Sequence, residues 1–225
     1  MGAAGRGIAI PYGSSTMGRP GSRLLLTVCA CMLLAACVPG GPQGPSPGSV
    51  ALRRGDVPAG WTRCGWSGDI GRYITSQHKV APASAEDLQS SWNALRRLGA
   101  MEANATGYAQ QAADCQATLG HGRSASAFSW VIQYRDDSAA HAGYEHGVLG
   151  LPTPTSEWDQ PAGLLVGIPT GLGTSDAWTL TQASPAPPLY EAWWRDGTLT
   201  AYLLVVGIPE SLAQPIALRM DRRMG

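Results

Sequence analysis

The chain has one lysine and one phenylalanine, and only 14% of its 225 residues are Asp, Glu, Lys or Arg. It shows no basic patch and no run of like charge, which argues against a nucleic-acid partner. It has no CxxC pair, so a redox-active or metal-binding cysteine motif has no support. No apolar stretch reaches the roughly 20 residues needed to cross a bilayer as a helix. Gly167 to Gly173 (GIPTGLG) is not followed by Lys-Ser or Lys-Thr, so it is no phosphate loop. Ser67, in Gly65-Trp66-Ser67-Gly68, lacks the spacing of a nucleophile elbow. His141, Glu145 and His146 spell HxxxEH, which is neither HExxH nor HxxEH. Gly143 inside that helix is also a poor base for a rigid site. No Ser/His/Asp set, carboxylate pair or Cys/His pair stands out. The expectation is a protein that is not an enzyme and holds no metal or cofactor.

What is present begins near the N-terminus. Arg19 and Arg23 precede an apolar run, Leu24 to Leu34, which ends in small residues. That order is the layout of a secretory signal. Its last four residues, Leu34-Ala35-Ala36-Cys37, resemble the lipobox of bacterial lipoproteins. The resemblance implies lipid on the Cys37 thiol and cleavage before it. The protein would then be anchored to a cell membrane on the extracytoplasmic face. One acyl chain anchors only marginally, so the diacylglycerol typical of that class matters. Residues 1–36 are expected to be the signal, with Met17 as the true start. Removing them takes away three Arg and no acids, leaving a formal charge of −3.

Val38 to Gly48 (VPGGPQGPSPG) cannot bury a core. Residues 37–55 therefore read as a lipid-anchored flexible tether, and residues 56–225 as a single α+β domain, long enough for a real core. Cys29 and Cys31 fall in the signal and Cys37 carries the lipid. That leaves Cys64 and Cys115, expected to form one disulfide in an oxidising compartment. The loop is long, so the chain-entropy model allows roughly 4 kcal/mol.

Within the domain, Glu86 to Leu98 reads as a helix with Ser84 as its N-cap and Gly99 as its stop. Leu88, Trp92, Leu95 and Leu98 keep helical spacing. Ala100 to Gln111 reads as a strand, with helix as the alternative. A Gly120-His121-Gly122 turn leads to a strand, Ala125 to Arg135, in which Phe128, Trp130, Ile132 and Tyr134 share one side. Asp136 to Ser138 caps a helix, Ala139 to Leu149. Leu151 to Gly163 is a Pro-rich connection, and Asp176 to Thr181 a short strand. Leu189 to Arg195 and Thr198 to Val206 form a hairpin about Asp196-Gly197. A helix from about Leu212 to Met224 closes the chain, with Pro215 in its first turn. The outline predicts an antiparallel sheet of about five strands, with helices packed mainly on one face.

With Asp196-Gly197 at the tip, Arg195 faces Thr198 and Trp194 faces Leu199. One sheet face then carries Trp194, Leu199, Ala192, Ala201, Tyr190 and Leu203, expected to lie under a helix. The other carries Trp193, Thr200, Glu191, Tyr202 and Arg195. Trp193 and Tyr202, flanked by Glu191 and Arg195, are the candidate platform for a small molecule, glycan or peptide. The plainer alternative is that these rings are covered and serve the core. The closing pattern is a Trp-bearing strand, a turn, an apolar strand and an Arg-tailed helix. It is loosely similar to the external sensor domains of mycobacterial receptor kinases. The whole is similar to extracytoplasmic lipoprotein domains of high-GC bacteria, which the dominance of Arg over Lys suits. Fold-level analogy does not transfer function. Three readings follow: a ligand-binding or sensing module on the membrane, a structural or assembly partner of a cell-envelope complex, and an envelope hydrolase using His141 or His146.

Overall fold

The computed structural model describes residues 44–116, 123–148, 164–167, 171–173, 176–182 and 187–225. The signal segment, Cys37, the Gly120-His121-Gly122 turn and the Leu151 to Gly163 connection lie outside the described residues.

The architecture is α+β. The strands are β1 (Thr62–Arg63), β2 (Gly68–Asp69), β3 (Ala100–Ala109), β4 (Ser126–Tyr134), β5 (Leu164–Gly167), β6 (Asp176–Gln182), β7 (Leu189–Asp196) and β8 (Leu199–Val206). They form one antiparallel sheet in the order β1-β3-β4-β8-β7-β6-β5, with β2 also paired to β3. That is more than the five strands expected, because the two short strands on β3 and the pairing of β5 carry almost no sequence signal. The helices are α1 (Pro47–Val50), α2 (Ile70–Val80), α3 (Pro82–Leu98), α4 (Asp137–His146) and α5 (Glu210–Asp221).

The helices cover both faces of the sheet rather than mainly one. Ile70, Tyr73 and Ile74 of α2, Leu95 of α3, and Ala139, Ala140 and Tyr144 of α4 join the core on one face. Val50 of α1 and Ala213, Ile216, Ala217 and Met220 of α5 join the core on the other. The cause is visible in β4 and β8, whose every residue is buried. A strand such as Leu199-Thr-Ala-Tyr-Leu-Leu-Val-Val has apolar groups on both sides and needs both sides covered.

The fold also begins earlier than Asp56. Val50, Ala51 and Leu52 are buried, and the Leu52 N–H donates to Ser129 Oγ at 3.2 Å. The expected 37–55 tether is therefore part of the domain from about Pro47 on. Asp56 holds it there. Its buried carboxylate accepts from the Arg53 N–H at 2.8 Å and pairs with Arg223 at 2.8 Å and Arg219 at 3.4 Å. Arg223 also donates to the carbonyls of Val50 and Ala51, at 2.9 and 3.2 Å.

Local chemistry explains the remaining differences. Asp69 caps α2 by accepting from the Gly71 N–H at 2.7 Å. Ile70, Tyr73, Ile74 and Gln77 then fall on one buried face, a helix the sequence reading passed over. Helix α3 starts at Pro82, not Glu86, since proline suits the first turn. It ends at Gly99 in the left-handed conformation, as expected. Pro215 sits in the interior of α5, not its first turn. The carbonyl it leaves without a helical donor belongs to Ser211, which is exposed to water. In the hairpin, Arg195 pairs with Thr200 and Trp194 with Ala201, so the turn residues are Gly197 and Thr198. That moves the register by two positions, which leaves each side chain on its expected face.

Candidate functional site

The face expected to bind a ligand is interior. Trp193 and Tyr202 pair directly across β7 and β8 and are only 2% and 1% exposed. Alternation along the strands put them on one face; α2, α3 and α4 then cover it. The rings pack on each other in a chain of seven. Trp178 stacks on Trp193 at 4.9 Å, Trp193 tilts onto Tyr202 at 4.1 Å, and Tyr202 stacks on Trp130 at 5.1 Å. Tyr73 of α2 continues it at 6.0 Å from Trp130, then Trp66 at 4.7 Å, then Phe128 at 5.7 Å. Ring faces engaged this way offer no platform to a ligand.

The two charged residues of that face do structural work. Arg195 is buried and pairs with Asp137 in the first turn of α4, fixing the helix on the sheet. Glu191 accepts a hydrogen bond from the Tyr202 hydroxyl at 3.1 Å. Burial pushes the Glu191 carboxyl above its ordinary range. Burial first, and then the neighbouring Glu191 charge, pushes the Tyr202 hydroxyl well above its own. The N–H groups of Trp178 and Trp193 are buried without a hydrogen-bond partner.

The disulfide Cys64–Cys115 is formed. It backs the wall of an open cleft of about 380 Å³ beside α2. Arg72, Thr75, Ser76 and Lys79, spaced i, i+3, i+4 and i+7, line one side. Gly65, Trp66 and Gln116 line the other. Trp66 is fixed at the floor by its own hydrogen bond, Nε1 donating to the Cys115 carbonyl at 2.7 Å. Gly107 lies beneath it, where a Cβ would overlap the indole edge. The Ser67 hydroxyl is engaged with the Gly107 backbone, accepting from its N–H at 3.0 Å.

Charge in this cleft is unbalanced. Arg72 and Lys79, the only lysine of the chain, form no ion pair with any described residue, whereas Arg135, Arg195, Arg219 and Arg223 each have a carboxylate partner. Arg72 is steadied instead by a backbone carbonyl, donating to Gly65 at 2.6 Å. Asp114, two residues before Gln116, is occupied elsewhere. It accepts from the Ser124 hydroxyl and from the N–H groups of Arg123 and Ser124, which together hold its carboxyl below the usual range.

Sequence reasoning missed Arg72, Lys79 and Ser76 because it missed α2. The signal was there: Asp69 as a cap, then buried positions 70, 73, 74 and 77, leaves 72, 75, 76 and 79 on the outer face. His141 and Glu145 approach to 3.4 Å on the exposed side of α4. Among the described residues, no three His, Cys, Asp or Glu side chains are grouped to hold a metal. No helix of the described residues is long and apolar enough to cross a membrane. Compared with known proteins, the chain matches no family model and no curated protein.

Proposed function

We propose that this protein is a ligand-binding or sensing module, carried on the extracytoplasmic face of a cell membrane by lipid on Cys37. Its ligand enters the α2 cleft. The observation that supports this is the cleft itself, with two cations unmatched by any carboxylate of the described residues above a floor held by the disulfide and Trp66. Preorganised walls lower the cost of binding. The anchor rests on the lipobox-like Leu34-Ala35-Ala36-Cys37.

The test compares wild type with Cys37→Ser in the native host, by intact mass and membrane partitioning. Lipid on the wild type and release of the variant are expected; an unlipidated, soluble wild type would remove the anchor. Thermal shift against cell-wall fragments, peptides and lipids then tests binding. A flat response throughout would count against the module.

One observation favours the assembly-partner reading as a second possibility. An apolar cleft of about 280 Å³ lies between Val57-Pro58 and α5, with Leu212 56% exposed at its edge. Leu212→Asp should abolish a co-purifying partner after cross-linking if that cleft is an assembly surface.

A further inference from the structure

We infer that the α2 cleft recognises a phosphoryl group. This rests on the binding-module reading and names the ligand class for that same site. Four side chains can donate into the cleft. Arg72 spends one of its five N–H donors on Gly65 and keeps the rest. The Lys79 ammonium has three donors. The Ser76 hydroxyl and the Gln116 amide stand between and opposite them. Thr75 is not among the donors, because its hydroxyl already donates to the Gly71 carbonyl at 2.7 Å. The Trp66 N–H is likewise spent on Cys115.

Arg72 and Lys79 are two helical turns apart, about 10 Å along the axis. Both side chains are long enough to converge on one group above Ser76. Their combined formal charge of two matches a phosphate monoester, which carries about −1.5 to −2 at neutral pH. A carboxylate would leave one cation unmatched. A neutral glycan would leave both. The guanidinium fork suits two oxygens of one phosphoryl group, and the ammonium acts as a point charge on the third.

The single lysine makes the site directly readable. The mature lipidated protein in nanodiscs, reductively methylated with ¹³C, gives one side-chain dimethylamine signal, from Lys79. The probes are glycerol 3-phosphate, inorganic pyrophosphate, and glycerol as the neutral control. Saturable movement of the Lys79 signal with both phosphates, and none with glycerol, is expected. Equilibrium dialysis with labelled pyrophosphate should then show affinity falling on the order of tenfold or more for Lys79→Gln and for Arg72→Gln. Arg97→Gln, on the exposed side of α3, is the control for a merely electrostatic effect. Phosphate binding that is insensitive to Arg72 and Lys79, or lost equally in the Arg97 variant, overturns the inference. If neutral cell-wall fragments or peptides move the signal and phosphates do not, the phosphoryl class falls and the binding module stands. If no probe moves it, both fall. Nanodiscs of phosphatidylglycerol against phosphatidylcholine separate the sources. A signal already shifted in phosphatidylglycerol alone identifies a lipid headgroup, and one that moves only with added phosphate identifies a soluble ester.

Discussion

Trp193 and Trp194 are consecutive in β7 and enter opposite cores. Trp193 joins the seven-ring chain, with its N–H buried and unpartnered. Trp194 joins an aliphatic core of Leu199, Leu203, Ile216 and Met220, and its N–H reaches the Met224 sulfur at 2.9 Å. The aromatic face is filled by large rigid rings with polar atoms left over. The aliphatic face is filled mainly by smaller groups under α5, with Trp61, Tyr108 and Tyr190 among them, and is closed by an ionic clasp at Asp56. Ring packing fills volume with few rotamers but leaves donors hard to satisfy. The aliphatic face leaves fewer such atoms, the Tyr190 hydroxyl among them, and gathers most of its charged groups at the rim.

Breaking the aromatic face at its centre should cost most. Trp193→Ala should destabilise by about 3–5 kcal/mol, as transfer and cavity terms add. Denaturant unfolding measures it, and a loss under about 1 kcal/mol would mean the face can collapse around the gap. On the aliphatic face, Asp56→Ala leaves Arg219 and Arg223 without their carboxylate. Loss near the lower end of roughly 3–5 kcal/mol is expected, since both guanidinium groups keep some contact with water. The same protein should expose residues 47–56 to limited proteolysis, which Trp193→Ala should not.

A smaller effect sharpens the link between the aromatic face and the cleft. Gly107→Ala places a methyl against Trp66 and should cost about 1–3 kcal/mol. It should also weaken whatever binds above Trp66, whereas substitutions on the aliphatic face should leave binding intact. The smallest effect is a pH dependence. Glu191 has a raised carboxyl in the folded state, so the native protein keeps a proton the unfolded chain has released. Its contribution is therefore fully present below the ordinary carboxylate range and is lost as pH rises through the raised value. Asp221, raised mainly by burial, acts with the same sign. Glu191→Gln should gain stability at neutral pH and little in acid, so melting curves against pH should be flatter than wild type. An unchanged slope would place the titration elsewhere.

Strand β4 was legible by its alternation, β7 and β8 by the Asp196-Gly197 pair beside the hairpin turn, β3 only by the return that follows it, and α4 because Asp136 caps it. The Cys64–Cys115 pair followed from elimination, given the oxidising compartment that the lipobox-like stretch led us to expect. Alternation also placed Trp193, Tyr202, Glu191 and Arg195 correctly on one face. It could not say what lies above that face, which is a matter of tertiary contact with α2 and α4. The cleft was hidden for a different reason. Helix α2 holds Gly71 in its first turn and polar residues over half its surface, so its apolar stripe of Ile70, Tyr73 and Ile74 is short. The N-terminal boundary was misplaced because Val50, Ala51 and Leu52 follow a Pro- and Gly-rich stretch whose composition masked them.

The clasp at Asp56 also governs presentation. Arg223 grips the carbonyls of Val50 and Ala51, so α1 is tied to the end of α5. The N-terminal end of the described fold lies on the α1 and α5 face of the sheet, and the cleft on the α2 face. Releasing the clasp would free that end of the fold, while the cleft on the opposite face keeps its walls.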